Sequence, residues 1–119
     1  MKIEIVGKDK NIARVFDSGV IITDTGTALD LMVTIRYETK CDRVIIDKTN
    51  LSETFFKLST GIAGEILQKF VNYQMRLAIV GDFLKYSSKP LKDFIYESNK
   101  GNQINFVSTE EDAIMRLSD

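Results

Sequence analysis

Two short apolar runs, each bounded by charged residues, do most to limit the folds open to this chain. They are Arg43–Asp47 and Leu77–Gly81. Runs of this length with consecutive aliphatic side chains are typical of strands that are covered on both faces of a sheet. The stretch between them has apolar residues at three- and four-residue steps, which indicates a helix. A strand, a helix and a second strand in this order predict parallel strands joined by a crossover.

The residues before the first apolar run predict a hairpin and a helix. Lys2–Val6 alternates polar and apolar residues, as a half-exposed edge strand does, and Ile12–Phe16 returns after a Gly-containing turn. From Ala28 onwards, apolar residues recur at i, i+3, i+4 and i+7, so we expect a helix that ends at about Thr39. This helix also carries apolar residues on a neighbouring face. That second face either widens the core contact or binds a second copy of the chain.

The residues after the second apolar run repeat the alternation. Pro90 is typical of a first helical turn, and Lys100 with Gly101 of a helix end. A last strand is expected around Ile104–Val107, and Ser108–Glu111 resembles a capping box that begins a short helix. We therefore predict one α/β domain over residues 1–119. Its mixed sheet of about five strands is flanked by four helices, most of them on one side.

The middle segment allows two interpretations. One is a single helix over Glu53–Asn72. The other is a short turn, a break at Leu58–Ser59 and a new helix from Thr60. Gly61 and Gly64 would each cost a helix interior about 0.8–1 kcal/mol, and this cost favours the break.

Ser59, Thr60 and Gly61 are the first candidate site. If a helix begins here, hydroxyl groups lie beside backbone N–H groups that have no intrahelical partner, which favours an anion or a phosphoryl group. The same residues also suit an ordinary helix start, in which Ser59 is only a cap.

Asp47, Asp82 and Lys85 are the second candidate site. Each residue follows one of the two predicted parallel strands. Ligands of open α/β sheets bind at the carboxyl ends of the strands, so these side chains could form a ligand site at the same edge as Ser59. The plainer interpretation is that the aspartates cap turns.

The composition removes several classes of function. The chain has no His and one Cys, Cys41, so we expect no metal site, and the commonest general base is missing. The formal net charge is −1, from 16 basic and 17 acidic residues without a block of like charge, which argues against a nucleic acid or an anionic membrane as partner. We expect a cytoplasmic protein without a cofactor. The sequence leaves catalysis open but favours a non-enzymatic role.

Most of the chain resembles a bacterial family that is known only as a domain of unknown function, family 4180. The resemblance runs from Phe55 to Val107 and is carried above all by Leu58–Tyr73, Ala78–Phe83 and Asp93–Gly101. It implies membership of a family but no activity.

A second resemblance is to the sulfate-transporter and anti-sigma-factor-antagonist (STAS) domains. Asp47 ends a strand as in that fold, Ser59–Ile62 is similar to its Ser-Ser-Gly step, and Thr109–Ile114 is similar to its last helix. The resemblance implies a STAS-like fold. It also implies that Ser59 or Thr60 corresponds to the serine that the anti-sigma kinase phosphorylates in the antagonists.

Three functional hypotheses follow. The first is a non-enzymatic, regulatory protein-interaction module, switched by phosphorylation at Ser59 or Thr60. The second is a domain that binds a small anion or nucleotide at the carboxyl edge of the sheet. The third is a structural homodimer that forms through the helix Ala28–Tyr37.

Overall fold

The strands of the sheet follow one another in the order of the chain. In the computed structural model, which describes residues 1–118, β1 (Lys2–Val6) and β2 (Ile12–Phe16) pair antiparallel. The strands β3 (Arg43–Asp47), β4 (Arg76–Val80) and β5 (Ile104–Val107) then add in parallel. The predicted α/β domain with a mixed five-stranded sheet is thereby confirmed.

Four α-helices flank the sheet, as predicted: α1 (Thr25–Thr39), α2 (Ile62–Asn72), α3 (Lys89–Lys100) and α4 (Glu110–Leu117). Polar caps determine several of their ends. The Asp24 carboxylate accepts a hydrogen bond from the backbone N–H of Thr27 and so begins α1. Pro90 lies in the first turn of α3, where its missing N–H costs nothing.

The two faces of the sheet are covered unequally. Helices α1, α2 and α3 enclose the larger core, which takes alternate strand residues, among them Ala13, Val15, Val44, Ile46, Leu77 and Ile79. The residues between these point to the other face, where Ile12, Ile45 and Ala78 pack against Ala113 and Leu117 of α4. The central strands are therefore apolar on both faces because both faces are packed.

The middle segment is broken, as the glycine cost suggested. Two 3-10 turns, Glu53–Phe56 and Leu58–Thr60, precede α2. Gly61 has a φ of +76°, a left-handed conformation that suits glycine, and α2 begins only at Ile62. The helix therefore starts two residues later than predicted. None of the helices within residues 1–118 combines the length and the apolar character needed to cross a membrane.

Candidate functional site

Three loops meet where the parallel strands end, and we call this region the carboxyl edge. It consists of the last residues of β3, β4 and β5 and of the loops that follow them, residues 48–61, 81–88 and 108–109. Aromatic rings join the first two loops, because the Phe56 ring lies 5.2 Å from the Tyr86 ring and 6.3 Å from the Phe83 ring, centroid to centroid. The loops after β3 and β4 are thus packed together at the edge where open α/β sheets bind ligands.

The two hydroxyl groups of the first candidate site differ in their contacts. Both Ser59 and Thr60 are exposed. Thr60 Oγ1 donates to the carbonyl oxygen of Lys57 at 2.8 Å and accepts from the N–H of Ile62 at 3.2 Å, so it holds the turn before α2 together. Ser59 Oγ makes none of the hydrogen bonds found within residues 1–118. Of the two, Ser59 is the hydroxyl that the turn does not use.

The second candidate site is not joined by direct contacts. Asp47 accepts a hydrogen bond from the guanidinium of Arg14 at 3.2 Å, and Asp82 accepts one from the N–H of Leu84 at 3.0 Å. Lys85 extends its ammonium towards the ring of Tyr86, 5.7 Å from the centroid. Among the described residues, no hydrogen bond or ion pair links Asp47, Asp82 and Lys85 to one another.

Arg14 is a buried charge that the sequence analysis missed. The residue is 6% exposed, its Nε donates a hydrogen bond to Glu110 at 2.6 Å, and its terminal nitrogen Nη2 donates one to Asp47 at 3.2 Å. The guanidinium also lies over the Phe16 ring, 4.7 Å from the centroid. A charged residue inside the run Ile12–Phe16 was the one signal that could have marked it.

Lys48 is the second buried charge that was missed as a site residue. It follows β3 directly and is 8% exposed. Its ammonium lies 5.0 Å from the Tyr86 ring centroid and 5.3 Å from that of Phe56, which gives it two cation–π contacts. The nearest carboxylate is that of Glu53, at 3.8 Å. The aliphatic stem crosses Gly81, where an added Cβ would come within 2.6 Å of Lys48 Cβ.

Lys48, Glu53, Phe56 and Tyr86 form a cluster at the carboxyl edge, which we call the Lys48 cluster, and the hydroxyl of Tyr86 is part of it. The oxygen is buried and has no hydrogen-bond partner within residues 1–118. Burial raises the pKa of Tyr86, the Glu53 carboxylate raises it further, and the Lys85 ammonium opposes both. The neutral hydroxyl therefore persists as a hydrogen-bond donor to high pH.

An apolar groove lies beside the cluster. Its volume is about 440 Å³, and its lining consists of Gly81, Asp82, Phe83, Leu84, Phe106, Val107 and Ser108. Leu84, at the rim, is 92% exposed. Because Leu84 is continuous with an apolar groove, the two together form a candidate surface for binding another molecule. Within residues 1–118, no three His, Cys, Asp or Glu side chains are placed to hold a metal ion together.

Comparison with known proteins gives one result that covers almost the whole chain. The family model described as "Domain of unknown function (DUF4180)" matches residues 7–117. No match was found among curated proteins or among solved structures. The expected similarity to the STAS fold therefore stays a prediction.

Proposed function

This chain belongs to the DUF4180 family, a domain of unknown function, and we propose that it is a cytoplasmic, non-enzymatic protein-interaction module. The observation that carries the proposal is the exposure of Leu84, 92%, at the rim of an apolar groove. A partner that inserts an apolar side chain between Leu84 and Phe106 would remove this surface from water, at about 25 cal/mol per Å².

The proposed switch is phosphorylation of Ser59. This hydroxyl is exposed, is not used by the turn and precedes α2 on the same edge as the groove. A phosphate there would gain about 0.3–1 kcal/mol from the N-terminal end of α2 and would add negative charge to the binding surface. The resemblance to anti-sigma-factor antagonists supports the same residue, with Thr60 as the alternative.

Site-specific photo-crosslinking tests the docking surface. A photoreactive amino acid at Leu84, in cells of the native host, should capture one dominant partner. The same group at Tyr96, which is exposed on α3 and does not line the groove, is the matched control. The variant Leu84→Asp should bind the captured partner at least about tenfold more weakly, since it places a charge in an apolar contact. Equal capture from positions 84 and 96 would contradict the proposal.

Phosphate-affinity gel electrophoresis of protein from the native host tests the switch. A retarded band should disappear in Ser59→Ala and remain in Thr60→Ala. The variant Ser59→Glu should weaken binding of the crosslinked partner. A Ser59→Ala, Thr60→Ala double variant with unchanged modification and unchanged partners would remove Ser59 and Thr60 from the proposal and leave the docking surface in place.

A specific observation also favours each of the two other functions. The groove supports a small-ligand domain with Asp82 at its rim and Asp47 and Lys85 on the same edge. A thermal-shift assay distinguishes a small-ligand domain from an interaction module, because a ligand at a hundred times its Kd adds about 2.7 kcal/mol to the free energy of unfolding.

The homodimer through Ala28–Tyr37 is supported by the exposure of Val33 and Tyr37 on α1. Light scattering that shows a monomer at all concentrations would exclude it.

A further inference from the structure

At the carboxyl edge, a buried hydroxyl without a hydrogen-bond partner lies close to an ammonium group that makes no hydrogen bond within residues 1–118. The ammonium of Lys48 has a carboxylate at 3.8 Å, which is beyond hydrogen-bonding distance, and otherwise faces the rings of Phe56 and Tyr86. The hydroxyl of Tyr86 is buried and makes no hydrogen bond within residues 1–118. The two side chains are in contact, because the Lys48 ammonium lies 5.0 Å from the centroid of the Tyr86 ring. A buried donor rarely lacks an acceptor in a folded protein, so the Tyr86 hydroxyl beside the Lys48 ammonium calls for one.

Glu53 shows how an acceptor can reach this cluster. Its side chain is 74% exposed, and its carboxylate approaches the Lys48 ammonium from the solvent side. A pair at this distance whose carboxylate is largely exposed contributes little to stability. Glu53 is therefore a weak occupant that a better-placed carboxylate can displace.

We propose that Lys48 and Tyr86 form a binding site for a small organic carboxylate with an apolar body. The ligand carboxylate would accept hydrogen bonds from the Lys48 ammonium and the Tyr86 hydroxyl and take the place of the Glu53 side chain. The apolar body would lie in the groove. The two halves of the site meet at Gly81, which lines the groove and supports the stem of Lys48.

The charges near the site favour a monoanion over a polyphosphate. The ammonium groups of Lys48 and Lys85 lie at the Tyr86 ring, and they are offset by two carboxylates, those of Glu53 beside Lys48 and of Asp82 in the groove lining. A ligand with several negative charges would be repelled by both. The aromatic and aliphatic lining, with Phe83, Phe106 and Val107, suits an aryl or alkyl group instead. This inference needs neither Ser59 nor a protein partner.

Amide chemical-shift titration of the full, isotopically labelled chain tests the site. The probes are benzoate and hexanoate, with benzyl alcohol as the uncharged control. We expect saturable shifts for both carboxylates at the amides of Lys48, Gly81, Phe83 and Tyr86, and none for the alcohol. Absence of saturable shifts with both carboxylates, or shifts scattered over surface lysines, would overturn the inference.

Lys85 provides the matched control for Lys48, because both ammonium groups contact the Tyr86 ring but only Lys48 is buried. The variant Lys48→Met should weaken binding at least about tenfold, as expected for the loss of a hydrogen bond to a charged group, and Lys85→Met should leave the Kd nearly unchanged. Equal losses in the two variants would mean non-specific attraction and overturn the site.

Two further variants keep the test decisive if Lys48→Met does not fold. Glu53→Gln removes the internal competitor and should strengthen carboxylate binding by about two- to threefold. Tyr86→Phe removes the proposed donor and should weaken it by a few-fold without scattering the shifts elsewhere. Unchanged or weaker binding in Glu53→Gln would contradict the displacement of that side chain, and with it the proposed site.

Discussion

At the scale of single residues, two glycines differ in the space that is available for an added side chain. Gly81 directly follows β4 and contacts the stem of Lys48, and an added Cβ would approach Lys48 Cβ to 2.6 Å. Cβ is fixed to the backbone, so Lys48 cannot avoid the contact by changing its rotamer alone. Gly64 lies inside α2, and nothing is within 4 Å of an added Cβ there. The same chemical change is therefore expected to have opposite signs at the two positions.

The first prediction compares Gly81→Ala with Gly64→Ala. We expect Gly81→Ala to lower the free energy of unfolding by about 1–3 kcal/mol, because β3 and β4 must separate at their ends. Gly64→Ala should raise it by about 0.5–1 kcal/mol, since alanine is the better helix former. Urea denaturation measures both. A neutral Gly81→Ala would show that Lys48 does not lie across Gly81.

The second prediction concerns the pH dependence that Tyr86 causes. Burial is the main reason that its pKa lies above the usual tyrosine value of about 10, so the stability it contributes is present below that pH and is lost as pH rises towards the folded pKa. We expect the free energy of unfolding to fall above about pH 10, and to fall less steeply in Tyr86→Phe.

At the scale of elements, Arg14 connects a strand to a helix far along the chain. Its guanidinium binds Glu110 at the start of α4, 96 residues away, and Asp47 at the end of β3, 33 residues away. Sequence patterns describe neighbours within a few residues and carry no information on such partners. The strands and helices were predictable because caps and periodicity are local. The surroundings of Arg14 and Lys48 were not.

The candidate site likewise has one part that could be predicted from local sequence and one part that could not. The break before α2 could be predicted, since Gly61 and Gly64 penalise a continuous helix within the local segment. The cluster around Lys48 could not, because its rings come from two different loops, at Phe56 and Tyr86. A lysine directly after a buried strand looks like any solvated turn residue until the second loop is placed over it.

The third prediction tests the connection made by Arg14. Arg14→Ala should destabilise the fold by about 2–3 kcal/mol, because it removes a buried side chain that packs on Phe16 and joins β2 to α4. Glu110→Gln should lower the free energy of unfolding by about 1 kcal/mol or less. The Glu110 side chain is partly exposed, so water can hydrate Arg14 once the ion pair is lost. Thermal unfolding of both variants measures the difference. Equal costs would mean that the ion pair, rather than the packing of Arg14, stabilises this region.

At the scale of the whole molecule, the second face of the sheet depends on one short helix. Helix α4 has eight residues, and Ala113 and Leu117 are its buried side chains. They cover Ile45 and Ala78, which belong to the same strands that form the larger core. Since each central strand contributes to both faces, the two cores cannot separate without breaking the sheet. We therefore expect one cooperative unfolding transition.

Leu117→Ala tests this dependence. Leu117 is fully buried, so its truncation should lower the free energy of unfolding by about 2–4 kcal/mol, whereas Met115→Ala on the exposed side of the same helix should change it by less than about 0.5 kcal/mol. The loss should appear equally in circular dichroism and in the exchange protection of core amides in β3 and β4, because both report one transition. If α4 instead detaches at low urea while these amides keep their protection, the second face is a separate unit and the cooperative description is wrong.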